Sequence, residues 1–138
     1  MDCHGNATDA LTSMLLPYWQ ASLNLMGASA HPIILSGEAM QEETVVNEAR
    51  ETKNMLLLNL LFAAKIQVAC YYGYWDIARG LYKEREMEAT KFIKMNMVSF
   101  VLEFLGGLIC FELHRKTGKR KYLKEGKQVI KSMEKYES

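Results

Sequence analysis

The chain has 138 residues, of which 49% are hydrophobic and 24% charged, with 9 Gly and 2 Pro. That is the size of one domain and apolar enough to bury a core, so low-complexity disorder and collagen-like character are excluded. Seventeen basic and 16 acidic residues leave a net charge of +1, so global charge points to no polyanionic partner.

Almost every segment carries helical periodicity, and few stretches alternate with period two. Residues 1–8 read as a disordered tail and 9–136 as a single helical-repeat domain. The first helix is expected from about Asp9 to Met26, kinked or split by Pro17, which cannot donate to the i−4 carbonyl, and stopped by Gly27. A loop follows over Ala28–Leu35, with His31 held extended by Pro32. Ser36 is a good N-cap for a second helix, with Glu38, Glu42 and Glu43 at its positive dipole end. Thr52–Asn54 either ends that helix or is passed through. From Met55 to about Tyr72 the chain is apolar on nearly all sides: Leu57, Leu61, Ala64 and Val68 form one stripe, widened by Leu56, Leu60 and Ala63. Such a helix is central and covered on several faces.

Gly73 then offers a C-cap and Asp76 an N-cap, and Ala78, Leu81, Tyr82, Arg85, Ala89 and Phe92 recur at helical spacing. Another helix is expected from near Met95 to Lys116, with Val98, Leu102, Leu105 and Ile109 as its stripe. Gly106-Gly107 in its middle costs about 1 kcal/mol per glycine relative to alanine, which predicts the close approach of a neighbouring helix. Gly118 ends it. The last helix carries Tyr122, Gly126, Val129, Met133 and Tyr136 on one face and its lysines on the other. The turns at Gly73 and Gly118 share one form, which suggests stacked helix pairs.

The segment Gly73-Tyr74-Trp75-Asp76-Ile77-Ala78-Arg79-Gly80-Leu81-Tyr82 resembles the turn of a tetratricopeptide-type hairpin. Gly73 permits the tight turn, Trp75 follows two residues on, Ala78 lets two helices touch, and Tyr82 packs across them. The preceding helix departs from the repeat, with Phe62, Lys65 and Ile66 at the corresponding places. The alternative is an ordinary αα-hairpin. The fold expected is all-α: antiparallel helix pairs stacked as a short tetratricopeptide-like α-solenoid.

A second resemblance covers most of residues 15–135. The stretch from Leu23 to Ala39 contains Asn24, Leu25, Gly27, Ser29, Pro32, Gly37 and Glu38. It resembles an NLxG-x-S-x-x-P-x-x-L-x-GEA loop in the helical-repeat region of large multidomain signalling ATPases. Those proteins join a serine/threonine-kinase-like domain, an AAA/STAND-type ATPase, a long helical-repeat region, and GAF, histidine-kinase or cyclase modules. The similarity continues through Ala69–Ala78 and Leu105–Lys131. This chain departs from the pattern at Ala30 and His31, and it contains no kinase, ATPase or histidine-kinase core. The resemblance implies a piece of a longer helical array that passes signals between neighbouring domains.

Reactive motifs are absent from the sequence. Gly118-Lys119-Arg120 lacks the earlier glycine and the Ser/Thr of a phosphate-binding loop, and no GxSxG or HExxH occurs. Cys3-His4 supplies only two ligands at a chain end. Cys3, Cys70 and Cys110 fit neither a disulfide framework nor a zinc site, which predicts free thiols in a reducing, cytoplasmic compartment. No basic n-region precedes an apolar stretch near Met1. His114 suits the negative end of a helix dipole. Glu103 is expected on an exposed side or paired with a lysine. It makes no acid/base pair with Glu112, since nine helical positions separate the two by about 13 Å.

Charge is uneven along the chain. Residues 1–60 hold 2 basic and 7 acidic side chains, and residues 61–138 hold 15 and 9. Lys119, Arg120, Lys121, Lys124 and Lys127 form a candidate anion-binding patch, with Tyr122 offering a stacking surface. Its alternative is a solvated face on which Glu125 and Glu134 pair with lysines at i±4. The leading reading is a non-catalytic protein–protein interaction or scaffold module, with no cofactor or metal, whose partner is a protein or neighbouring domain. The first alternative is a binder of nucleic acid or anionic surfaces through the basic C-terminal helix. The second is a membrane-associated helical hairpin built on Met55–Tyr72 and Met95–Leu113.

Overall fold

The computed structural model describes residues 3–88 and 97–134, with side chains from residue 14 in the first stretch and from residue 100 in the second. Among the described residues the chain is all-helical and without strands, as expected: α1 (Cys3–Leu25), α2 (Glu42–Glu51), α3 (Met55–Tyr71), α4 (Trp75–Glu88), α5 (Met97–Thr117) and α6 (Arg120–Glu134). The side chains of Cys3, His4, Ala89, Phe92, Val98 and Tyr136, to which the sequence assigns roles, lie outside the described residues.

The apolar composition of α3 places it at the centre. Leu57, Leu61, Ala64 and Val68 on its expected stripe are buried, and so are Leu58, Phe62 and Ile66 on other sides. α1, α2, α4 and α5 all pack on it. Burying a leucine or isoleucine contributes about 1.5–3 kcal/mol, so this helix is the main source of cohesion. α4 and α6 both pack on α5, and α5 presents Leu102, Leu105, Ile109 and Leu113 to the interior.

Helix ends follow backbone chemistry closely. α1 closes with Ala28 N–H on the Leu23 carbonyl at 2.8 Å, α2 with Asn54 N–H on Ala49 at 2.8 Å, and α3 with Tyr74 N–H on Ala69 at 2.9 Å. In each, the residue just past the helix turns left-handed: Gly27 at φ +80°, Lys53 at +55° and Gly73 at +75°. α5 ends at Thr117, and Gly118 after it, at φ +71°, donates its N–H to the His114 carbonyl four residues back at 2.8 Å. The chain breaks at Thr52–Asn54, where Asn54 Oδ1 accepts the Leu57 N–H at 3.1 Å and caps α3.

Several local expectations change. α1 runs unbroken through Pro17, whose side chain is fully buried. It begins at Cys3 and so includes residues 3–8, since no proline interrupts propagation there. α2 starts at Glu42, because Gly37–Gln41 is held in a loop by contacts described below. α4 starts one residue before Asp76, with Ala78 N–H on the Tyr74 carbonyl at 2.9 Å, so Asp76 lies in its first turn rather than at its cap.

Candidate functional site

The loop between α1 and α2 is organised by two side chains one turn apart on α1. Asn24 Nδ2 donates to the Pro32 and Ile34 carbonyls, both at 2.9 Å, with that of His31 at 3.4 Å. Its Oδ1 accepts from Gln20 Nε2 at 2.9 Å, and Gln20 Oε1 accepts the N–H of Ala39 at 2.9 Å and of Met40 at 3.4 Å. Both amides are essentially buried. Such groups are tolerated inside only when hydrogen-bonded, and an orphaned one costs about 1–3 kcal/mol. The loop is thereby pinned so that Ile33, Leu35 and Met40 enter the core.

Ser29 and Gly37 of the Leu23–Ala39 stretch serve the loop as well. Ser29 Oγ donates to the His31 carbonyl at 2.9 Å, and His31 Nδ1 accepts from Ile33 N–H at 3.2 Å and Ile34 N–H at 3.3 Å. A Cβ on Gly37 would stand 2.7 Å from Gln20 Nε2, so the close approach of that amide requires glycine. Tyr72 OH donates to the Asn24 carbonyl at 2.9 Å and ties the loop to the end of α3. Leu25 and Glu38 are exposed. The Gln20–Asn24 pair was missed in the sequence, although two amides at i, i+4 in an apolar helix are its signal.

Ser36 keeps a capping role at longer range. Its Oγ accepts the Glu42 N–H at 2.9 Å, while Glu42 Oε1 accepts the Leu35 N–H at 2.9 Å and Oε2 pairs with Lys65 at 3.0 Å. This cluster lies at a groove of about 530 Å³ over α3, between α2 and α4. Leu58, Leu61, Phe62 and Leu81 line it together with Glu43, Arg50 and Glu84. Arg50 of α2 reaches Glu88 of α4 with Nε to Oε1 at 2.6 Å and Nη2 to Oε2 at 3.1 Å.

Ionisable groups also meet between α3, α4 and α5. Arg85 is buried, and its Nε donates to Asn59 Oδ1 at 2.9 Å, with Glu103 Oε1 3.8 Å from Nη1. Tyr82 OH donates to Glu103 Oε2 at 3.2 Å. Glu103 is therefore not exposed, and among the described residues its partners are Arg85 and Tyr82 rather than a lysine, since its helix turns it toward α4. Burial pushes its carboxyl above the usual value, against the Tyr82 hydrogen bond and the Arg85 charge. Burial also raises the Tyr82 phenol. The Tyr82 ring packs on Gly106 of α5. Ala78 is fully buried as expected, and Trp75 is half-buried beside Gly73.

On α6 the apolar face is as expected. Tyr122 and Gly126 are buried, Val129 and Met133 half-buried, and Lys119, Arg120, Lys121, Lys124 and Lys127 exposed. Glu125, however, pairs with Arg79 of α4, Oε1 to Nη2 at 2.8 Å, rather than with a lysine of its own helix. Arg79 lies 5.3 Å and Lys121 4.9 Å from the centroid of the Tyr122 ring. The ring is buried and already occupied by cations, so it does not offer the expected stacking surface. His114 Nδ1 donates to the Lys119 carbonyl at 3.2 Å across the Gly118 turn.

Among the described residues no three His, Cys, Asp or Glu side chains gather as a metal site. Cys70 and Cys110 are free thiols. Burial raises both, Cys70 to about 11, which leaves little nucleophilic thiolate. Among the described residues no helix is long and apolar enough to cross a membrane. The chain matches no protein-family model, no curated protein and no solved structure.

Proposed function

We propose that the chain is a non-catalytic helical-repeat module that binds protein, built as a short tetratricopeptide-like α-solenoid. The observation that carries this reading is the order of packing. α1 and α2 both lie on α3, α3 and α4 both lie on α5, and α6 closes on α5. α3 with α4 and α5 with α6 are packed pairs, while α1 and α2 lie separately on α3, so each layer rests on the first helix of the next, as in a stack in which repeats touch their neighbours. The ionisable groups that converge, Arg85 with Glu103 and Arg79 with Glu125, are engaged with one another across helices. The resemblance to the helical-repeat region of multidomain signalling ATPases fits this role, with a protein or neighbouring domain as partner and the cytoplasm as location.

Two measurements test it. Arg79→Glu and Glu125→Arg should each lower stability, and the two together should recover most of the loss; independent effects would break the stacking order. Purified chain should turn over no ATP, and turnover that survives repurification would refute the non-catalytic role.

A second reading has its own support. Lys119, Arg120, Lys121, Lys124 and Lys127 are all exposed, and no ion pair among the described residues engages them. A binder of nucleic acid or anionic surfaces would use this face. Its binding must weaken steeply with salt, and flat low-salt titrations with RNA, DNA and acidic vesicles would eliminate it.

A further inference from the structure

The two ends of the helix stack each expose an apolar face, and the helices beside those faces carry opposite charge. At one end α1 turns Leu15 and Trp19 outward, 67% and 54% exposed, on the face opposite the buried Gln20, Ala21 and Asn24. At the other end α5 turns out Phe104 and Leu108, 58% and 38% exposed, away from the buried Leu102 and Ile109. Ile130 of α6, 44% exposed, stands on the side of its helix away from the Arg79–Glu125 contact. These are the faces an inner helix covers: α3 has α1 and α5 packed on it.

Ion pairs repeat along the series α2, α4 and α6. Arg50 of α2 bridges to Glu88 of α4, and Arg79 of α4 bridges to Glu125 of α6. The next step of that series would start from α6, which exposes Lys124, Lys127 and Lys131. The helix that would answer it is α2, which exposes Glu43, Glu48 and Glu51. The excess of acid in residues 1–60 and of base in residues 61–138 is the same polarity seen over the whole chain.

We infer that the partner of these end faces is a second copy of this chain, stacked head to tail. α1 of one copy seats on the Phe104–Leu108 face of another, as α3 seats against α5, and the acidic α2 comes beside the basic α6. The inference rests on the stacked-pair reading above. The contact joins two different surfaces, so it does not close by a two-fold axis and copies can add in succession. Charge pairing across it is solvent-exposed and weakens with salt.

The test is sedimentation velocity of the whole chain across increasing concentration at low salt. Wild type should associate progressively beyond a dimer. Trp19→Glu and Phe104→Glu should each remain monomeric, because each destroys one of the two faces. An equimolar mixture of the two should form a one-to-one dimer and nothing larger, since one intact face of each kind remains. Both side chains are exposed, so circular dichroism should be unchanged; Leu15→Lys and Leu108→Lys provide the same test if either variant unfolds. A wild type that stays monomeric, association that survives both substitutions, or a mixture that fails to recover the dimer would overturn the proposal. If these fail while Arg79→Glu and Glu125→Arg still compensate one another, the self-association falls alone; if that compensation is also missing, the stacked-pair reading falls with it.

Discussion

The Tyr82 ring lies so close to Gly106 that a Cβ there would stand 2.5 Å from both its Cε2 and its Cζ. One glycine of the Gly106-Gly107 pair thus admits the aromatic ring of α4 into the surface of α5. Gly107 does not share this duty: a Cβ on it would meet only Val129 Cγ1, at an ordinary 3.7 Å. The two substitutions should therefore have opposite signs. Gly106→Ala gains about 1 kcal/mol of helix propensity but overpacks a buried ring, which costs about 1–3 kcal/mol, so it destabilises. Gly107→Ala keeps the propensity gain and stabilises by up to about 1 kcal/mol. Urea unfolding of both variants reads the difference, and shrinking Tyr82 to Leu should relieve the loss at Gly106 alone.

Asn24 supplies both donors and an acceptor to the loop clamp, so its chemistry matters beyond its size. Asn24→Ala leaves the Pro32 and Ile34 carbonyls and the Gln20 amide without their partner and should cost about 2–3 kcal/mol. Asn24→Asp should be worse near neutral pH, because a buried carboxylate faces the carbonyls that need donors. Hydrogen exchange at Ala39 and Met40, whose N–H groups bond Gln20, should accelerate in both variants. Unchanged exchange there would show that Gln20 holds the loop without Asn24.

The features legible in the sequence are those governed by neighbours along one helix. The all-round burial of α3 followed from Leu57, Leu61, Ala64 and Val68, and the apolar face of α6 from Tyr122 and Gly126. The left-handed glycines 73 and 118 were legible because few other residues adopt that conformation without strain. What escaped depends on partners distant in sequence. Ser36 marked a helix start that Gln20, on another helix, defers to Glu42 by holding Ala39 and Met40. Glu103 looked solvent-bound because its partners Tyr82 and Arg85 belong to α4. Glu125 looked like a partner for the lysines of α6, yet Arg79 takes it. Local pattern carries the helices, whereas the polar contacts that set their order are non-local.

Lys53 occupies the left-handed position that Gly27 and Gly73 fill at the ends of α1 and α3. A side chain there costs about 1–2 kcal/mol, partly offset by the greater unfolded-state freedom of glycine. Lys53→Gly should therefore stabilise by about 0.5–1 kcal/mol, and Gly73→Ala should destabilise by a similar amount. Both are read from urea midpoints with unchanged m-values. A loss on Lys53→Gly would mean that the lysine side chain contributes more than its backbone strain costs.

Glu125 and Glu103 should respond to acid in opposite ways. Burial works against the Glu125 carboxylate, but the Arg79 hydrogen bond and the charges of Arg79, Lys83 and Lys121 outweigh it, leaving its pKa below the usual 4.5. Its folded value is thus lower than its unfolded one. The stability it contributes is present above pH 4.5 and is lost as pH falls through the folded value. The stability difference between wild type and Glu125→Gln should be constant near neutrality and shrink on acidification. Glu103 is raised by burial, so its contribution is present below the unfolded value and fades as pH rises through the folded one. Wild type compared with Glu103→Gln should then lose relative stability between weak acid and neutrality. Urea midpoints taken from about pH 3 to pH 7 distinguish the two curves. Parallel curves for the two variants would mean that the Arg79 and Arg85 contacts act alike on their carboxylates, against the different burial of the two groups.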